Sequence, residues 1–339
     1  MTVVCTAVDW RARKDVAQID VSDVAQFANL VRANVGQVMV GKAEVTTFLI
    51  VALLCEGHIL IDDVPGVGKT TLAKALARSL DLSFQRIQFT PDVLPSDVTG
   101  VSFFNQRTQE FQFRPGPIHA NIILADEINR ATPRTQSAML EAMEERQVTA
   151  DGETRLLPRP FIVLATENPI EFEGTFPLPE AQIDRFLMRL RLGYPDRDEE
   201  RQIARRFRRA SPFDDLRPIS HAADLRGLAR ICRNVHVGVA VEEYLVDLVR
   251  ATRVIPQVEL GASPRATLAL FRASQALAAV RGRGYVLPDD IKELATPILE
   301  HRIVLGAGPR LEGRTAADVV AEVLQSIPTP VEDNALTRS

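Results

Sequence analysis

Residues Leu60–Ala73 read LIDDVPGVGKTTLA: an apolar run feeds a Gly-rich turn, a Lys-Thr pair and a helical pattern. A triphosphate needs several backbone N–H groups converging on its oxygens. Only glycine lets the chain curl tightly enough to present them, which is the steric use of Gly66 and Gly68. Lys69 is placed to reach the β- and γ-phosphates and Thr70 to offer its hydroxyl to Mg²⁺, with the positive end of the following helix beneath them. The strict pattern is G-x-x-x-x-G-K-[ST], and Asp63 stands where its first glycine belongs. Taken alone, Gly-Lys-Thr is an ordinary helix entry. The strand before it and the helical TLAKALARSL from Thr71 turn it into a phosphate-binding loop.

A second element reinforces the first. Ile122–Ala131, IILADEINRA, is a buried-strand run ending in two adjacent carboxylates. Asp126 at the strand tip is suited to hold Mg²⁺ through its water shell, and Glu127 to orient and deprotonate the water that attacks the γ-phosphate. A third strand, Phe161–Thr166 (FIVLAT), ends in Glu167-Asn168-Pro169. An amide at that tip, beside the Asp-Glu strand, makes Asn168 a sensor of the γ-phosphate or the attacking water; read alone, Asn-Pro is only a turn signal. Asp184-Arg185-Phe186 precedes a last short strand, Phe186–Leu192. An Arg there sits at a subunit edge, either as a plain surface residue or as an arginine finger entering a neighbour's site, with Arg130 and Arg134 as the next candidates.

Two helices are expected before these strands, the second over Ala43–Cys55, and strands recur at His58–Asp62, Phe84–Phe89, Asn121–Asp126, Phe161–Thr166 and Phe186–Leu192. Strands alternating with helices imply an α/β fold, a parallel sheet covered on both faces, with ligands at the carboxyl ends of the strands. VSFFNQ and EFQFRPG, flanking Arg107-Thr108-Gln109, alternate with period two and read as a β-hairpin. Packing onto their own domain is one expectation for its Phe103, Phe104, Phe111 and Phe113. After Pro195 the strands stop: helical spacing runs through Glu199–Arg209, Ala222–Cys232, Val241–Val254, Pro264–Val280, Pro288–Leu299 and Ala316–Ile327. Ser263-Pro264-Arg265 starts one of these helices with a cap residue and Pro in the first turn, holding Arg265 where it is able to reach a γ-phosphate. The expected organisation is a tail over 1–17, an ATP-binding core over 18–194, a helical lid over 195–328 and a tail over 329–339.

The chain resembles the MoxR family of AAA+ ATPases. The residues that carry the match are VGK at Val40–Lys42, EGHILIDDVPGVGKTTLA from Glu56, RIQFTPDVLPSDVTG from Arg86, GPIHANIILADEINRATPRTQSAMLEAMEERQVT from Gly116, FIVLATENPIEFEGTFPLPEAQIDRFLMRL from Phe161 and GASPRA from Gly261. The resemblance implies an AAA+ P-loop core, a β-hairpin insertion of the branch that includes magnesium-chelatase and MCM-type proteins, and a C-terminal all-helical lid domain. It also turns that hairpin toward a central pore, the other expectation for its four phenylalanines. It implies ATP bound by Val40, Gly41, Pro65, Gly66, Val67, Gly68, Lys69, Thr70 and Thr71, with Mg²⁺ at Thr70 and Asp126. Glu127, Asn168, Arg185 and Arg265 are the catalytic set, Arg265 acting within its subunit or across an interface. Asp63 is a variation the family tolerates. A homo-oligomeric, hexameric ring working on a client through a von Willebrand A-domain protein is also implied.

Composition bounds the alternatives. A formal charge of −4 gives no overall attraction to nucleic acid or anionic membrane. Cys5, Cys55 and Cys232 are dispersed and odd in number, which suggests neither a disulfide framework nor a zinc site and fits a reducing cytoplasm. FLIVALLC, from Phe48, is too short to span a bilayer, and Met1–Val16 does not read as a signal peptide. Arg201, Arg205, Arg206, Arg208 and Arg209 form a basic cluster, preceded by Asp196, Asp198, Glu199 and Glu200, that reads as a solvated helix face. The histidines lack metal-ligand spacing, so no metal beyond Mg²⁺ is expected. An ATP-driven remodelling machine is favoured over a DNA-directed motor, with a magnesium-chelatase-like subunit third.

Overall fold

The computed structural model describes residues 19–168, 174–208, 212–220 and 222–330. By internal contact they divide into two compact units, one Phe27–Gly227 and the other the described residues on either side of it. The expected N-terminal tail, Cys5, Pro169, Arg209, Ser211 and 331–339 of the C-terminal tail lie outside the described residues.

The first unit has strands β1 (Ile59–Asp62), β2 (Phe84–Gln88), β3 (Gly100–Asn105), β4 (Glu110–Pro115), β5 (Ile122–Asp126), β6 (Gln147–Ala150), β7 (Glu153–Leu156), β8 (Ile162–Glu167) and β9 (Met188–Leu190). Its helices are α1 (Ser22–Val35, from Phe27 on), α2 (Ala43–Leu54), α3 (Lys69–Ser79), α4 (Pro95–Thr99), α5 (Pro133–Glu145), α6 (Glu180–Ile183) and α7 (Arg197–Arg206). Five strands form one parallel sheet in the order β2-β5-β8-β1-β9. In β5 and β8 every residue but the last is buried, the continuous apolar pattern of strands covered on both faces. The register Gln88↔Asp126 and Asp62↔Glu167 aligns the strand ends that carry chemistry.

His58, at the foot of β1, is tied into the same layer. Val163 N–H donates to its Nδ1 at 3.0 Å, and its Nε2 bonds the Met143 carbonyl at 2.9 Å. A carbonyl only accepts, so the ring is the neutral Nε2–H tautomer. Burial pulls its pKa down to about 4.

The insertion is the expected hairpin, β3 antiparallel to β4 with Gln106–Gln109 as its turn. Its aromatics divide between exposed and packed. Phe103, Phe104 and Phe111 are exposed, whereas Phe113 lies 3.8 Å beneath the Arg155 guanidinium and edge-on to His119. A second hairpin, β6-β7, is absent from the sequence reading. Its signal was present: Asp151-Gly152, at φ 54° and 79°, is the Asp-Gly pair that a two-residue type I′ turn requires.

The second unit holds α8 (Ala222–Arg233, from Leu228), α9 (Val239–Ala251), β10 (Val258–Leu260), α10 (Pro264–Val280), α11 (Pro288–Leu299), β11 (Val304–Leu305), α12 (Ala307–Leu311) and α13 (Ala316–Ser326). The expectation that strands stop after Pro195 is corrected by the antiparallel β10-β11 ribbon, too short to show a period. The break between α10 and α11 is fixed by Asp290, 1% exposed, which pairs with Arg281 (3.1 Å) and Arg283 (2.5 Å). A buried carboxylate is tolerated there because two guanidiniums and the Leu287 N–H compensate it.

Candidate active site

The Gly-rich turn leaves β1 and enters α3 as expected. Gly66 and Gly68 have φ of 88° and 96°, a region L side chains rarely adopt, and a Cβ built on Gly66 would meet nothing within 4 Å. The space at Gly66 is therefore open, whereas Gly68 backs onto Met39. Lys69 Nζ donates to the Asp63 carbonyl at 2.6 Å. Burial lowers the Lys69 pKa, against the attraction of Asp126, Asp63, Asp62 and Glu127, so the ammonium lies within the field of both acidic strand tips. Open space, left-handed glycines and a cation among carboxylates suit a triphosphate with its divalent counter-ion.

Asp63, the departure from the strict motif, has a structural role. Its buried carboxylate accepts Val64 N–H through Oδ1 (2.9 Å) and Leu192 N–H (2.6 Å) and Gly193 N–H (2.7 Å) through Oδ2. The residue ties the phosphate loop to the segment leaving β9.

Asp126 and Glu127 sit at the end of β5 in a continuous polar network. Thr166, fully buried on β8, donates its hydroxyl to Asp126 Oδ1 (2.6 Å) and accepts Glu127 N–H (2.9 Å). That bond holds Glu127 in a left-handed conformation, φ 57°. Arg86 Nε and Nη2 donate to Asp126 Oδ2 at 3.0 and 2.5 Å. Glu127 Oε2 accepts from Gln88 Nε2 (3.0 Å) and Arg130 Nη1 (3.2 Å). Thr166, Arg86 and Gln88 are the residues sequence reasoning missed. The alternation of Arg86 and Gln88 on one face of β2 was the available signal, and it became readable only once β2 was known to lie beside β5.

Asn168 is buried just past β8, between the phosphate-loop strand and the Asp-Glu strand. Arg185 lies between α6 and the edge strand β9, where its Nε pairs with Glu144 of α5 at 3.0 Å. Arg130 is committed to Glu127, and Arg134 is exposed at the start of α5. Arg265 is exposed in the first turn of α10 in the second unit. Ser263 occupies the N-cap position, but its hydroxyl accepts no capping bond, which corrects the cap expectation.

Val40 is buried, and Gly41 backs onto the Glu199 carboxylate. A cavity of about 170 Å³ opens beside them, lined by Val40, Gly66, Gly68 and Thr71 with Met39, Ile203 and Phe207 among others. The α7 residues in this wall were not expected. Nor is α7 wholly a solvated face: Arg206 donates to the Gly36 and Gln37 carbonyls, while Asp196 and Glu199 close its N-terminus as a capping box. Among the described residues no helix is long and apolar enough to cross a membrane.

Comparison with known proteins agrees with this geometry. The ATPase family associated with various cellular activities (AAA) matches residues 58–188, and the AAA lid domain matches 250–323. The uncharacterised Bacillus subtilis protein YeaC is 50% identical over 303 residues, 89% of this chain and 95% of that one. Chaperone MoxR1 of Mycobacterium tuberculosis is 42% identical over 317 residues, 90% of this chain and 84% of its own. The crystal structure of a candidate ATPase from Cytophaga hutchinsonii superposes with a TM-score of 0.85 at 39% identity, covering 91% of this chain and 97% of the other. A chain with this sheet, this loop and these relatives belongs to the MoxR family of AAA+ ATPases, enzymes that hydrolyse ATP.

Proposed function

We propose that this ATPase works as a hexameric cytoplasmic ring that spends ATP to remodel or mature client protein complexes, with a von Willebrand A-domain protein as adaptor. The observation that carries the catalytic part is the gathering of Lys69, Asp126 and Glu127 at the carboxyl ends of one parallel sheet. The chaperone name of a relative 42% identical along most of its length supports the remodelling part, and the family resemblance supplies the adaptor and the ring.

In this reading the cavity lined by Val40 and Phe207 takes the base, with Gly41 next to Val40 in the chain. Pro65, Gly66, Val67, Gly68 and Thr71 wrap the phosphates, and Lys69 neutralises the β- and γ-oxygens. Thr70 and Asp126 would hold Mg²⁺, whose chemistry is to offset phosphate charge. Glu127 takes a proton from water as the water oxygen bonds to the γ-phosphorus and the bond to the ADP oxygen breaks. Asn168 orients that water. Arg185 acts on a neighbour's γ-phosphate once it leaves Glu144, and Arg265 is the γ-phosphate sensor of the lid, for its own subunit or a neighbouring one.

The test uses the Glu127→Gln chain as an ATP-locked bait. A von Willebrand A-domain protein and a client complex should be retained with ATP and released with ADP. Retention of DNA instead, or of no protein in a nucleotide-dependent way, would overturn the remodelling assignment.

A further inference from the structure

Asp126 accepts three hydrogen bonds from its own chain, and they fill Oδ2. Oδ1 takes the Thr166 hydroxyl, and two guanidinium nitrogens of Arg86 converge on Oδ2 at 2.5 and 3.0 Å. Exposure across this pair is uneven, 46% for the Arg86 side chain against 13% for Asp126. Arg86 lies on β2, at the edge of the sheet, so one side of its guanidinium is open to water. The same Nη2 that reaches Asp126 also donates to Gln88 Oε1 at 2.5 Å, and Gln88 in turn holds Glu127.

We propose that Arg86 is a placeholder cation at the metal-binding carboxylate, occupying Asp126 in the nucleotide-free chain and displaced when Mg²⁺ arrives with nucleotide. This rests on Asp126 being a metal ligand, as proposed above. A carboxylate oxygen that accepts two guanidinium N–H groups has no lone pair left for a hydrated dication. A guanidinium and Mg²⁺ a few ångströms apart also repel each other. A metal or its water shell that engages Oδ2 therefore displaces Arg86, and an exposed guanidinium leaves at small cost because water replaces its partner. Without Arg86, Asp126 would lose its ion-pair partner beside Glu127, which has its own in Arg130. Arg suits this post better than Lys, since only a planar fork gives Asp126 two donors while passing a third N–H contact to Gln88. Arg86 is thus a positioning residue that sets the Mg²⁺ concentration at which nucleotide is held.

The test is a Mg²⁺ titration of the full chain with a fluorescent ATP analogue, read as binding and not as turnover. Arg86→Gln should lower the half-saturating Mg²⁺ about fivefold, the factor by which an exposed ion pair at the strong end of its range shifts an equilibrium. Affinity for the analogue in EDTA should stay at the wild-type value, and Arg86→Lys, which keeps the charge but not the fork, should fall between. If Arg86→Gln and Arg86→Lys both need as much Mg²⁺ as wild type, or more, the placeholder role is wrong. Asp126→Asn separates the two layers. Loss of Mg²⁺ dependence in that variant keeps the ligand reading whatever Arg86 does, and wild-type dependence in it overturns both.

Discussion

Replacing Asp63 with Gly restores the strict phosphate-loop pattern and should nonetheless harm the protein. The carboxylate is 8% exposed and binds the N–H groups of Leu192 and Gly193 at 2.6 and 2.7 Å, across 129 and 130 residues of sequence. Hydrogen bonds to a charged acceptor are worth about 1.5–3 kcal/mol each, and a buried donor left without a partner carries its full desolvation cost. The Val64 N–H lies beside the open loop and regains water, so only two bonds count. At the lower end they sum to about 3 kcal/mol. For a unit on the order of 200 residues, 1 kcal/mol moves the melting midpoint by about 2–4 °C, so Asp63→Gly should melt about 6–12 °C lower. Asp63→Asn can keep its amide oxygen on both N–H groups, which share Oδ2, but makes the acceptor neutral and should lose about half of that. Lys69 donates to the Asp63 carbonyl, so the loosened loop should also bind nucleotide more weakly. Calorimetry and titration of a fluorescent nucleotide measure both effects. An Asp63→Gly protein that melts with wild type and binds nucleotide equally well would refute the clamp and leave Asp63 a passenger in the motif.

Three further outcomes are expected. Glu127→Gln should retain ATP binding and lose phosphate release, whereas Lys69→Ala should lose much of the affinity; turnover persisting in the first variant removes Glu127 from the base role. An arginine finger supplied in trans contributes roughly 10³ to 10⁵ in rate, so Arg185→Ala should be nearly inert yet regain activity when mixed with Glu127→Gln, whose intact Arg185 then faces an intact Glu127. No recovery in mixed rings counts against Arg185. His58, whose pKa falls from 6.5 to about 4 on folding, gives a pH signature. The unfolded chain binds the proton first as pH drops, so stability should decline from pH 6.5 to pH 4 and level off below. At 1.36 kcal/mol per unit the decline is about 3 kcal/mol, and denaturant midpoints over that range should lose this slope in His58→Gln.

Local parts of the molecule can be read from the order of residues alone. A period of two or of 3.6, a Gly-Lys-Thr turn or a Ser-Pro helix start is written within a few residues and needs no partner to be read, so the bounds Pro264–Val280 and Pro288–Leu299 came out as observed. The positions of Lys69, Asp126, Glu127 and Asn168 at strand ends were legible for the same reason, because they follow directly on strands whose apolar runs are visible; the roles proposed for them rest on those positions. Asp63, by contrast, reads in sequence as a blemish in a motif. Its worth comes from two N–H groups that only the strand order β8-β1-β9 brings within reach. Arg86, Gln88 and Thr166 are unremarkable letters until β2, β5 and β8 lie side by side, when one Arg, one amide and one hydroxyl meet two carboxylates. Pairing across a sheet is decided by long-range burial of both faces, a property of the whole assembled layer, and local spacing holds no record of which strand will be the neighbour.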